Sequence, residues 1–505
     1  MSLRRRTVLR GIGAGTATTV GLSGTGGART GSDEDPDCSV LGGLLGGTGS
    51  FSTREVTVES VDGTELAATV YEPDADGPHP AMLVTHGWGM SKEFMRCYAA
   101  MYAEREYVVL AYDSRGFGGS GGEVGVNGPN EIQDARRLLD WLADHDDVIA
   151  EGDDPRVGMD GASYGGGIQL LTAAEDDRVD AIVPRIAWND LAASLMPDGT
   201  IKSGWLTVLV GAGSVSSRLT GNHGEGVDPR LTEWYVESLR DNVAPPAALE
   251  YFADRSPSFA DLETPTLVLS GWKDTLFPPS EAVANYRQAT EAGVDARLVM
   301  YDGGHNAAEI GVDDAQHRRV NRAAIDWVER HVRGADVEVG PPISLYDERA
   351  DEWQDHESLE AGVDRRTLAL SDADGATSSV EQGHLRDETA RYEVASDGVT
   401  IRGTPALSLS IEAHDAPLIC FARLHHVGWF RDEQIDDQVT PFRLEETGSH
   451  DLEFELEPLV RTVPDGDALE LRIAASDPFY RDERGSATVR DDESTLTLPV
   501  AGGSL

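Results

Sequence analysis

The feature that most constrains this chain is a change of hydrophobic period near residue 340. Between residues 51 and 335, short apolar runs alternate with segments whose apolar residues recur at helical spacing. Beyond Pro341-Pro342 they recur at every second position. One sequence cannot satisfy both periods in one layer, so the change predicts two architectures in tandem.

Val56 and Val58, then Leu66, Ala68 and Val70, flank the turn Val61-Asp62-Gly63-Thr64 and predict an antiparallel hairpin. Residues 81–84, 107–112, 157–159, 266–270 and 296–301 read as buried strands. Helical spacing marks residues 92–105, then Ile132 to Leu142, 280–291 and 315–332. Such alternation predicts an α/β domain over 51–335, a parallel sheet covered on both faces. Residues 190–255 lack strand signals and read as a helical cap inserted into it. Leu368 and Leu370, Leu407 to Ile411, Leu452 to Leu456, Leu469 to Ile473, and Leu496 and Leu498 alternate with polar residues. They predict a β-sandwich over 343–505.

The 505 residues suit two or three domains, and 40% apolar content supplies a large core. The formal net charge is −47, which excludes electrostatic binding to nucleic acid or anionic lipid. Only three basic residues are lysines, Lys92, Lys202 and Lys273, a balance that fits a salt-adapted protein. Cys38, Cys97 and Cys420 show no CxxC or Cys/His spacing. No zinc site, cofactor or disulfide framework is therefore expected, though one disulfide stays open.

Arg5-Arg6, followed by Val8-Leu9 and a Gly/Ala/Thr-rich stretch to Ala28, resembles a twin-arginine export signal. Residues 1–28 are read as that signal, recognised by the twin-arginine translocase, and 29–50 as a Gly/Ser-rich linker. The segment before Cys38 does not look like a lipid-attachment motif. No other segment is apolar for long enough to span a bilayer, so the expectation is a secreted or cell-surface protein.

Gly161-Ala162-Ser163-Tyr164-Gly165 fits G-x-S-x-G, with a strand before it and a helix after it. That context holds a serine on a sharp turn with its hydroxyl exposed. Gly118-Gly119-Ser120-Gly121-Gly122 fits the same letters, and Gly116, Gly118 and Gly121 fit a dinucleotide fingerprint. A Gly-rich stretch follows instead of a helix, so residues 113–118 read as a structural loop. A serine nucleophile needs a base, and the base an orienting carboxylate. His305 follows the strand ending at Tyr301, and Asp274 follows the strand ending at Ser270. The order Ser163, Asp274, His305 is that of an α/β-hydrolase triad. Asp302 is the rival acid but reads as a turn residue, and Asp160 and His86 read as structural. The backbone N–H groups of Tyr164 and Trp88 are the candidate oxyanion donors.

With Gly271-Trp272-Lys273-Asp274, Gly304-His305, Arg255-Ser256-Pro257 and the trailing sandwich, the chain resembles the X-Pro dipeptidyl-peptidase/cocaine-esterase (CocE/NonD) family of serine hydrolases. The resemblance runs from about residue 53 to the C-terminus. It implies a jelly-roll C-terminal domain and a small acyl ester or X-Pro peptide as substrate. Cocaine-esterase-like members place a tyrosine hydroxyl in the oxyanion hole, where His86-Gly87-Trp88 stands here. Dipeptidyl-peptidase members need a carboxylate for the substrate's amine, with Asp190, Glu225 and Glu233 as candidates. An esterase without peptidase activity is the alternative. A non-catalytic carbohydrate-binding protein using Trp429 and Tyr480 is a more distant one.

Overall fold

The computed structural model describes residues 49–219, 226–305, 312–382, 387–396 and 398–503. The export signal, Cys38 and Glu225 lie outside the described residues, as does the linker up to residue 48.

Among the described residues the first sheet has ten strands. In chain order they are β1 (Phe51–Glu59), β2 (Glu65–Pro73), β3 (Ala81–Thr85), β4 (Val108–Tyr112), β5 (Val157–Ala162), β6 (Val179–Arg185), β7 (Thr266–Gly271), β8 (Ala296–Tyr301), β9 (Ile343–Asp347) and β10 (Glu352–His356). The spatial order is β1-β2-β4-β3-β5-β6-β7-β8-β9-β10. β1 and β2 form the expected hairpin. From β4 to β9 every neighbour is parallel. Parallel strands need crossovers, and the amphipathic segments supply them: α1 (Arg96–Ala103), α2 (Pro129–Ala143), α3 (Tyr164–Ala173), and later α8 (Pro279–Glu291) and α9 (Asp314–His331).

Side chains alternate across a strand, so a sheet covered on both faces needs apolar residues at every position. In β3, Met82 and Val84 face a core built with α1 and α9, while Ala81 and Leu83 face one built with α2 and α3. All four are fully buried.

Between β6 and β7 lies the cap, with α4 (Leu191–Leu195), α5 (Ser203–Leu219), α6 (Pro229–Asp241) and α7 (Pro246–Ala253). It is helical as expected, apart from Gly226–Val227, which pairs with Glu123–Val124. The cap has its own apolar cluster, shared with Phe117, Tyr164, Leu276 and Phe277 of the sheet domain.

The first sheet does not end at Pro341-Pro342. Arg297 of β8 donates to the carbonyls of Pro341 and Val339, and β9 then pairs beside β8. The polar edge strand β10 closes the sheet. Beyond it, among the described residues, a nine-stranded and a six-stranded sheet form a β-sandwich around one apolar core. A strand stands at each place expected from alternation, in Asp364–Ala369, Ala406–Ala413, Gly448–Glu455, Ala468–Ala474 and Thr495–Gly502, although Leu370 opens a 3-10 turn and Leu456 lies one residue past its strand.

Candidate active site

Ser163 follows β5 directly and is the N-cap of α3, at φ 57° and ψ −115°. A non-glycine residue in that region is strained, and packing must hold it there. Small neighbours make the packing possible. A Cβ on Gly165 would lie 2.1 Å from the carbonyl oxygen of Thr85, so only glycine lets α3 approach β3 this closely. The side chain of Gln169 ties the turn by donating to the carbonyls of Gly161 and Gly165 and accepting from the Val183 N–H.

Asp274 and His305 stand on loops after β7 and β8, packed backbone to backbone. A Cβ on Gly271 would meet the Gly303 carbonyl oxygen at 2.0 Å. The approach brings His305 Nδ1 within 2.5 Å of Asp274 Oδ2. An ionised carboxylate only accepts, so in the neutral ring Nδ1 carries the proton and Nε2 is left as the base. Nε2 is buried and has no hydrogen-bond partner among the described residues. Asp274 is fully buried, and its Oδ1 accepts the N–H groups of Leu276 and Phe277 at 3.0 Å each. The rings of Phe277 and Trp205 hold the imidazole edge-on, at centroid distances of 5.1 and 5.9 Å.

Ser163 opens on an apolar pocket between sheet and cap. Trp88, Tyr164, Trp188, Leu206, Phe252 and Phe277 are among its walls, and no charged side chain lines it among the described residues. Phe277 therefore touches both the cavity and His305. Trp88 and Tyr164 flank Ser163 with their rings 5.5 Å apart, both resting on Phe117. The Trp88 indole N–H donates to the Leu209 carbonyl of the cap at 2.8 Å. Tyr164 is the first residue of α3, where backbone N–H groups lack intrahelical partners.

The remaining candidates have other duties. Asp160 binds Arg185 and the Tyr102 hydroxyl within the core. Asp302 pairs with Lys273. Burial holds the His86 imidazole below its usual range, and the neutral ring is satisfied, with Nδ1 donating to Gly87 O and Nε2 accepting from Ser114 N–H. Asp190 caps α4, and Glu233 is exposed and does not line the cavity. Tyr480 is buried against Phe421, whereas Trp429 is 89% exposed at a hairpin tip.

Spacing arguments missed several residues around the site. Lys202 is buried and donates to the carbonyls of Thr275 and Leu276. Burial pushes its ammonium down to about 8. Glu131 lies beneath Tyr164, and burial pushes its carboxyl up to about 7. The one available signal was rarity: Lys202 is one of three lysines in a chain that otherwise uses arginine. Among the described residues, Glu72-His145-Asp147 and Asp302-Glu348-Asp436 could each offer three ligand atoms to a metal ion. Neither group borders the cavity, and Lys273 and Arg461 already neutralise the second.

Residues 62–307 match the family described as X-Pro dipeptidyl-peptidase (S15 family). A cocaine esterase from Rhodococcus is 27% identical over 362 residues, 61% of this chain and 60% of that one. An uncharacterised 31.7 kDa protein of Escherichia coli is 33% identical over 127 residues, 25% of this chain and 43% of its own. The chain thus spans about half the length of the curated relatives it matches. A CocE/NonD family hydrolase from Staphylococcus aureus superposes with a TM-score of 0.68 at 14% identity, over 89% of this chain and 94% of that one. An α-amino acid ester hydrolase gives 0.67 at 15%, over 95% and 100%. At such identities these two structures speak for the fold: a hydrolase sheet, a cap and a β-sandwich. Strand order, the elbow serine and the match over residues 62–307 make that region a hydrolase domain of the α/β fold that matches the X-Pro dipeptidyl-peptidase (S15) family.

Proposed function

We propose that the protein hydrolyses esters with an apolar acyl group, through Ser163, His305 and Asp274 and an acyl-enzyme intermediate. The observation that carries this reading is the cavity. Ser163 sits at its wall, and no described side chain there offers a charge to bind a substrate's amine. Burying an unpaired ammonium in such a space would cost several kcal/mol, whereas apolar acyl area gains about 25 cal/mol per Å². Of the carboxylates considered for amine binding, Asp190 is spent on a helix cap and Glu233 faces solvent.

In this reading Ser163 Oγ attacks the acyl carbonyl while His305 Nε2 takes its proton. Asp274 holds the imidazole through Nδ1 and stabilises the charged ring. The Tyr164 and Trp88 backbone N–H groups bind the oxyanion, each worth roughly 3–4 kcal/mol of barrier. His305 then protonates the leaving alcohol, and water attacks the acyl-enzyme with the same base.

The test compares p-nitrophenyl esters of rising acyl length with Ala-Pro-p-nitroanilide, on the full chain in high salt. Ester turnover is expected to dominate and to rise with acyl size until the cavity is filled. Preferential cleavage of the anilide would replace this reading with a dipeptidyl-peptidase.

Export by the twin-arginine route is part of the same proposal. Cys97 is disulfide-bonded, which suits an oxidising compartment, while Cys420 is a buried free thiol. No described helix is long and apolar enough to cross a membrane. Arg5→Lys with Arg6→Lys is expected to keep the protein inside its host cell.

A further inference from the structure

The loop from Trp272 to Phe277 is held from outside by two residues far away in the chain. Lys202, just before cap helix α5, donates through Nζ to the carbonyls of Thr275 and Leu276, each at 3.1 Å. Gln438, in the sandwich domain, donates through Nε2 to the carbonyls of Trp272 and Asp274, at 2.8 and 2.9 Å.

The first pair of contacts matters most because of peptide geometry. In a trans peptide the C=O and the following N–H point in opposite directions. Thr275 C=O belongs to the same peptide as Leu276 N–H, and Leu276 C=O to the same peptide as Phe277 N–H. Those two N–H groups are the donors to Asp274 Oδ1. A single buried ammonium therefore grips the back of both peptide units whose fronts hold the carboxylate. It fixes their direction, and its charge reinforces their dipoles, in a place where low dielectric makes both effects strong. Gln438 holds the carbonyl of Asp274 itself and that of Trp272. The Trp205 indole, from the same stretch as Lys202, donates to Thr275 Oγ1 at 3.0 Å while its ring packs on His305.

We infer that Lys202 of the cap and Gln438 of the sandwich are positioning residues for the acid of the triad. They lock the Trp272–Phe277 loop so that Asp274 meets His305 at one angle. The inference rests on the reading of Asp274 as that acid. It also gives the cap and sandwich a role in the chemistry beyond enclosing the substrate. Lys202 is compensated in its turn: the carboxylates of Glu457, Glu281, Asp274 and Asp477 all oppose the cost of burying its charge.

The experiment uses the full chain with a p-nitrophenyl ester and compares K202M, K202Q, Q438A and D274N. K202M is expected to lower kcat roughly ten- to a hundred-fold with KM within two-fold, because misplacing a catalytic group by about 1 Å costs on that scale. K202Q keeps an N–H donor and is expected to recover part of the loss. Q438A is expected to lower kcat several-fold, again without moving KM. Thermal melting and circular dichroism establish that each variant is folded. Should K202M not fold, Q438A, which is half-buried and loses only an amide, carries the test. Folded K202M and Q438A with unaltered kcat overturn the inference. So does a parallel fall in kcat, KM and melting temperature, which marks general loosening. D274N separates the two levels. If D274N keeps full kcat, the triad reading itself falls; if D274N collapses while K202M and Q438A do not, only the positioning roles fall.

Discussion

The chain spells G-x-S-x-G twice, at 118–122 and at 161–165, and gives the two serines opposite fates. Ser163 is strained and partly exposed, at the start of a helix and the wall of a cavity. Ser120 is fully buried, with its hydroxyl donating to Asp113 O at 2.6 Å and accepting from Ala67 N–H at 2.9 Å. Its chemistry is spent joining the loop after β4 to the hairpin strand β2. The residues just after each motif account for the difference. Gly165-Gly166-Gly167 enter α3 at once, so the chain must turn sharply and the serine takes the turn. After Gly122 comes the short strand Glu123–Val124, which pairs with the cap, and the left-handed backbone positions fall on Gly118, Gly122, Val126 and Asn127 rather than on the serine.

Substitutions at the two motifs break or sharpen this contrast. The largest effect belongs to S163A: ester turnover is expected to fall by roughly 10⁶, with KM little changed, as for the loss of a serine nucleophile. Labelling by a fluorophosphonate probe vanishes with it and survives in S120A. Turnover retained by S163A would show that the strained serine is not the nucleophile. Next comes G165A. Its new methyl would meet the Thr85 carbonyl, backbone against backbone, so relief requires α3 to move off β3. Overpacking of this kind costs about 3 kcal/mol or more, and chemical denaturation reads it directly. S120A is expected to leave kcat near the unaltered value. It orphans one buried donor and one buried acceptor, at about 1–3 kcal/mol each, so its midpoint of unfolding falls. A loss of kcat in S120A without loss of stability would blur the distinction between the two motifs.

Much of the fold was legible because it follows from period and punctuation. The buried strands of the first domain announce themselves as apolar runs, and Ser163, Asp274 and His305 each come just after such a run. Parallel strands put those ends on one rim, which is why the His305–Asp274 contact could be anticipated. Three things were not legible. β10, Glu-Trp-Gln-Asp-His, is polar because it is an edge strand, so the extension of the first sheet past Pro342 carried no apolar signal. In the sandwich, Leu418–Gly428 lies between neighbours on both sides, and its first five residues are all buried, so the run hides from a search for alternation. Lys202 and Gln438 act on backbone carbonyls far away in sequence, and a carbonyl has no residue type to recognise.

Glu131 links the two motifs and yields the smallest expected effect. Its Oε1 accepts the Gly125 N–H, in the stretch just past the Ser120 loop, and the Tyr164 hydroxyl at 3.4 Å, beside the elbow serine. Its Oε2 is buried with no hydrogen-bond partner among the described residues. Burial raises the carboxyl from 4.5 to about 7, which means the folded protein prefers the protonated form. Linkage sets the sign. Below pH 4.5 both states hold the proton and nothing is lost. Between 4.5 and 7 the unfolded chain releases its proton while the folded one keeps it, so folding stability falls as pH rises through this window. A shift of this size corresponds to about 2–3 kcal/mol between pH 5 and pH 8. E131Q keeps an acceptor for Gly125 and Tyr164 and does not ionise. Its denaturation midpoint is expected to lie near that of the unaltered chain at pH 5 and above it at pH 8, with ester turnover retained. Parallel pH profiles for the two proteins would mean that the carboxylate finds solvent in the folded state, and that the two motifs are joined by packing alone.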